Sequence, residues 1–97
     1  MTITKNQNGT AVTLSVEGRL DTTTAPALEQ EIQALTDATE LTIDFAKLEY
    51  ISSAGLRVLL SAHKAFAKKD GMTITNVNEQ VLDIFDVTGF KDILNIK

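Results

Sequence analysis

Between Ala11 and Glu17 apolar and polar side chains alternate without a break, Val12, Leu14 and Val16 against Thr13, Ser15 and Glu17. A period of two marks a strand that buries one face and wets the other. Leu41-Thr42-Ile43-Asp44-Phe45 repeats the pattern, and Met72 to Val77 supplies a third such strand. Ahead of them Ile3 opens a short strand, which Asn8-Gly9 can fold back through a tight hairpin turn. Ile93, Leu94 and Ile96 suggest a short last strand.

Elsewhere the period becomes helical. Gly18 to Thr24 reads as a polar connection, with Thr23 or Thr24 placed to cap a helix and Pro26 suited to its first turn. Leu28, Ile32 and Leu35 then form one apolar stripe. A second helix is predicted from about Ser53 to Lys69, built on Leu56, Leu59, Leu60 and Phe66. Arg57, Ser61, Lys64 and Lys68 share its narrow polar stripe, while Val58, Ala62 and Ala65 make a small-residue flank suited to pack on a neighbouring element, with a partner as the alternative. Asp70-Gly71 ends it. Asn78 is placed to cap a third helix carrying Val81, Leu82 and Phe85 as far as Gly89. The predicted order is β-β-α-β-α-β-α-β. Helical crossovers favour parallel pairing with right-handed connections, and the opening hairpin adds an antiparallel pair. An α/β fold with a mixed sheet and helices packed against it is expected.

Composition narrows the function more than the fold. The 97 residues suit one domain, spanning 1–97, and a 43% apolar, 23% charged make-up is ordinary for a globular chain. The absence of cysteine removes thiolate catalysis and cysteine-ligated metal. A net charge of −4, spread along the chain, argues against nucleic acid or an anionic membrane as the main partner. No basic and apolar amino-terminal segment suggests export, and no apolar run approaches the ~20 residues of a membrane span. The cytoplasm is the expected location.

Catalytic arrangements fare poorly. The single histidine, His63, lies ten residues beyond Ser53 on the same predicted helix. Ten helical residues rise ~15 Å, far beyond the ~3 Å at which a base meets its nucleophile. A partly buried structural histidine is expected instead. No carboxylate cluster stands at metal-ligand spacing, and Gly55 lacks the neighbours of a phosphate-cradling loop. Asp83 and Asp86 read as a wet helix face. Neither an enzyme activity, a metal nor a cofactor is predicted. What stands out is Ser52-Ser53, where a strand and loop give way to a helix. One of the two hydroxyls can cap that helix. The second can act as a phosphate acceptor, because a helix N-terminus offers free N–H groups and a positive dipole end.

Gly18-Arg19-Leu20-Asp21 followed by Thr24-Ala25-Pro26, then Leu41 to Phe45, Tyr50-Ile51-Ser52-Ser53-Ala54-Gly55-Leu56, Gly71, Asn76-Val77 and Gly89-Phe90 together resemble the STAS domain family. The order and spacing of these pieces cover nearly the whole chain and look like the free-standing bacterial anti-sigma factor antagonists. The resemblance implies an unphosphorylated protein that binds an anti-sigma factor, itself a serine kinase, and is released when that kinase phosphorylates it; a phosphatase resets the cycle. It places the acceptor two residues before Gly55, at Ser53, with Ser52 as the alternative. It further implies a partner surface formed by Asp21, Thr22, Thr23, Ser52, Ser53, Gly55, Leu56 and Arg57. A constitutive STAS scaffold, the partner-binding subunit of a transport or stress-sensing assembly without a phospho-switch, is the competing expectation. A ligand-sensing module using the same helix end is a third.

Overall fold

A computed structural model describes all residues, Met1–Lys97. Four strands, β1 (Thr2–Asn8), β2 (Ala11–Leu20), β3 (Glu40–Ile51) and β4 (Met72–Thr75), line up in the order β1-β2-β3-β4. The β1–β2 pair is antiparallel; β2–β3 and β3–β4 are parallel. Three helices intervene or follow, α1 (Ala25–Gln33), α2 (Ser53–Ala67) and α3 (Glu79–Thr88). The mixed α/β class is the one that the hydrophobic periods predict.

Alternation in β2 and β3 turns Val12, Leu14, Val16, Leu41, Ile43 and Phe45 inward, where they join a single cluster of 24 buried apolar residues. The opposite face carries Thr13, Ser15, Thr42, Asp44, Thr73 and Thr75, all half-buried. Pairing in register sets Thr13 beside Thr42 and Thr42 beside Thr73. No charged or polar side chain is buried in the core. Of the small-residue flank of α2, Val58 and Ala62 are buried, while Ala65 is exposed on a groove that the flank shares with Ile32 and Leu35 of the α1 side. His63 is half-buried as predicted, and its Nδ1 is enclosed without a hydrogen-bond partner.

Several boundaries differ from those expected, each for a local reason. Strand β3 runs to Ile51 and not Phe45, because its buried positions after Phe45 fall at Leu48 and Ile51. That spacing of three arises where the β2–β3 register slips, between Ser15/Glu17 and Gly18/Arg19. At each slip β3 carries one extra residue, a β-bulge that hides the alternation. Gly18, at φ +103°, lets β2 continue through the stretch expected to be a connection. Strand β4 stops at Thr75, two residues early, because Asn76 adopts a left-handed φ of +58°. The expected last strand shrinks to one parallel bridge, Ile96 to Ile74, after a 3₁₀ turn over Phe90–Asp92. Asn78 caps α3 as predicted, accepting from Val81 N at 2.9 Å, and its amide also donates to Leu48 O at 2.7 Å.

Candidate functional site at the carboxyl ends of β2 and β3

Parallel strands bring their carboxyl ends to one edge of the sheet, where open α/β folds commonly bind ligands. Here Leu20 pairs with Ile51, and Ser52 N donates to Leu20 O at 2.9 Å. The β2–α1 turn and the first residues of α2 are thereby fixed side by side. The two neighbouring serines separate in role. Ser52 is the N-cap of α2, with extended backbone, and its Oγ accepts from Gly55 N at 3.5 Å. Ser53 is the first helical residue, exposed, with no hydrogen bond from its hydroxyl to the rest of the chain. The choice between them left open by the sequence is thus a choice between an occupied oxygen and a free one.

Of the residues expected on a partner surface, Thr22, Thr23, Ser53 and Arg57 are exposed, and Asp21 and Ser52 are half-buried. Gly55 and Leu56 are buried, so they serve from beneath the surface and offer a partner nothing to touch. Gly55 lies against β2 and β3 so closely that a Cβ there would come within 2.8 Å of both Ile51 Cγ1 and Leu20 Cγ. Arg57 stands one helical turn after Ser53, on a shallow cleft of about 300 Å³. Thr22, Ala25 and Pro26 line one wall of that cleft, and Ala54, Arg57 and Val58 the other.

The turn preceding α1 is cross-braced. Asp21 Oδ1 accepts from Thr23 N (3.0 Å), Thr23 Oγ1 (2.7 Å) and Thr24 N (3.3 Å). Thr24 holds the N-cap position of α1, but its hydroxyl does not cap the helix as the sequence suggested. It turns back to donate to Arg19 O and to accept from Asp21 N, both at 2.8 Å. The hydrogen bond from the Thr23 side chain, more than any other group, holds the Asp21 carboxyl below the usual aspartate range. A carboxylate with a depressed pKa contributes to the turn fully above about pH 4, and that contribution is lost as pH falls through the lowered value. The Thr23 and Thr24 amide resonances should therefore stay in place from pH 8 down to pH 5 and move only in stronger acid. A midpoint at or above pH 5 would contradict this geometry.

Sequence reasoning missed Arg19 and Tyr50. Only the shifted β2–β3 register sets them opposite each other, with the guanidinium carbon 4.4 Å from the ring centroid. Arg19 Nε also lies 3.9 Å from Asp21 Oδ2. No group of three or more metal-ligating side chains forms, and no helix is long and apolar enough to cross a membrane.

A family model described as Mlab, STAS domain, matches residues 3–95. The chain belongs to the STAS domain family. This STAS domain is 30% identical over 92 residues to the anti-sigma-B factor antagonist of Bacillus subtilis (strain 168), covering 93% of its own length and 84% of that protein's. It superposes on the crystal structure of an anti-sigma factor antagonist from Mycobacterium paratuberculosis with a TM-score of 0.87 at 27% identity, over 98% of this chain and 83% of that one. The Bacillus cell fate determinant SpoIIAA in its phosphorylated form shares the STAS fold, with a TM-score of 0.77 at 15% identity over 99% and 91% of the two chains.

Proposed function

We propose that this STAS domain is an anti-sigma factor antagonist that works by partner switching, with Ser53 as the phosphate acceptor. Unmodified, it binds an anti-sigma factor through the edge formed by the β2–α1 turn and the start of α2, and the sigma factor is set free to direct transcription. The anti-sigma factor is also the serine kinase that modifies Ser53, and a phosphatase restores the bare hydroxyl. The domain itself catalyses nothing in this cycle. The observation that carries the reading is the free, exposed Ser53 hydroxyl beside a Ser52 hydroxyl already engaged by the helix end.

The switch follows from charge. Phosphorylation adds roughly −1.5 to −2 charges at pH 7 and three acceptor oxygens. Within the domain these are met by the open N–H groups of α2, by the positive end of its dipole and by Arg57 at i+4. A partner closed over the same spot would have to take up that bulk and desolvate that charge. The fold is left alone while the docked state is opposed.

Incubation with the cognate kinase and ATP, followed by intact mass and peptide mapping, tests this. One phosphoryl group is expected on the Ser52-Ser53 peptide of the parent chain and none on Ser53→Ala. Ser52→Ala should still be labelled, while losing about 0.5–1 kcal/mol of stability with its cap, a loss readable by thermal melting. Labelling that persists in Ser53→Ala and vanishes in Ser52→Ala would move the acceptor to Ser52. The competing reading is the constitutive scaffold, a STAS domain that binds its partner without a phospho-switch. Stable binding of the same partner with no phosphoryl gain would select the scaffold.

A further inference from the structure

Asp21 is a charged residue at the rim of the proposed partner surface, and direct contact with the partner is the simplest role for it. Its bonding says otherwise. Oδ1 accepts from Thr23 N, Thr23 Oγ1 and Thr24 N at 2.7–3.3 Å. Oδ2 lies toward Arg19 Nε, whose guanidinium is stacked on Tyr50. Thr24 Oγ1 ties Arg19 O to Asp21 N, so the turn is bolted at both ends. The one side chain of this turn left with no hydrogen bond is Thr22, exposed at its tip on the cleft shared with Ala54 and Arg57.

We propose that Asp21 is a positioning residue for partner docking: it shapes the β2–α1 turn so that Thr22 stands across the cleft from Arg57, and the partner reads the shape of the turn in place of the Asp21 charge. The inference deepens the antagonist reading and rests on it for the identity of the partner. A turn held by three bonds to one oxygen is pre-organised, so docking loses little conformational freedom there. Removing the oxygen frees the turn even though the surface charge changes little elsewhere. Replacing the carboxylate by an amide keeps an oxygen able to accept the same bonds while it removes the charge and exchanges Oδ2, on the Arg19 side, for an NH2 group.

Two substitutions separate shape from charge. Asp21→Asn is expected to keep affinity for the anti-sigma factor, measured by calorimetry, within about 3-fold of the parent, while Asp21→Ala loses at least 10-fold. Amide hydrogen exchange at Thr23, whose N–H is held by the Asp21 carboxylate alone, should stay near the parent rate in Asp21→Asn and quicken at least 10-fold in Asp21→Ala. Thr22→Arg, which leaves every bond of the turn intact, should lose at least 10-fold in affinity. Equal, large losses for Asp21→Asn and Asp21→Ala would overturn the proposal, because the charge would then be what the partner meets. So would unchanged exchange in Asp21→Ala, or full affinity in Thr22→Arg. The exchange measurement needs no partner, so its failure is distinguishable from failure of the antagonist reading, which the parent chain alone tests.

Discussion

Ser53→Asp should lower affinity for the anti-sigma factor by about 100-fold or more, some 2.8 kcal/mol at 1.4 kcal/mol per decade. A carboxylate at the first position of α2 lies on an exposed surface in the free domain, where water and the helix N–H groups solvate it. Docking strips the water and supplies no matching cation, and an uncompensated buried charge costs several kcal/mol. Ser53→Ala adds neither charge nor bulk, so it should bind within a few-fold of the parent and resist the kinase. Calorimetric titration of the three proteins against one preparation of the partner decides the matter. Parent-like binding by Ser53→Asp would remove the switch from the proposed function.

The second large effect falls on stability. Gly55→Val is expected to lower the melting temperature by roughly 8–16 °C, corresponding to about 2 kcal/mol in a domain of this size. Its Cβ alone would sit 2.8 Å from Ile51 Cγ1 and 2.8 Å from Leu20 Cγ, with Leu20 Cδ2 at 3.1 Å. Those atoms belong to the paired ends of β2 and β3 and are fully buried, so they have little room to yield. Forcing extra methyl groups into such a contact costs typically 1–3 kcal/mol. Gly55→Ala should be milder, since alanine recovers roughly 1 kcal/mol of helix propensity against the same clash. The helix can relieve the strain only by lifting its first turn, which carries Ser53. Phosphorylation by the kinase should therefore slow in Gly55→Val even at temperatures where it remains folded. A melting temperature within 2 °C of the parent would show that α2 is not seated as closely as described.

Where side-chain period and backbone geometry agree, the fold was readable from residues alone. Val12, Leu14 and Val16 alternate and are buried, and Leu28, Ile32 and Leu35 recur at helical spacing and are buried too. Reading failed where the backbone departs from regular form. Phe45, Leu48 and Ile51 all point inward, yet their spacing of three looks helical because two bulges intervene. Asn76 ended a strand through its own φ, and nothing in the pattern of β4 announced it. At the site, Ser52 and Ser53 were visible as a pair, but which of them held the cap depended on one backbone turn. Gly55 and Leu56 were placed on a partner surface by the family resemblance, and only the folded structure reveals that both are buried there. Arg19 and Tyr50 stand 31 positions apart, so only strand pairing could reveal their stack.

Giving the cap to Ser52 and leaving Ser53 idle has a kinetic consequence. A phosphate placed on the capping hydroxyl would have to replace the Ser52 cap with new bonds to the same helix end in every cycle. With Ser53 as the proposed acceptor the two duties fall on separate side chains, so the Ser52 cap stays in place in both states and its rearrangement adds nothing to the time that the kinase and phosphatase take.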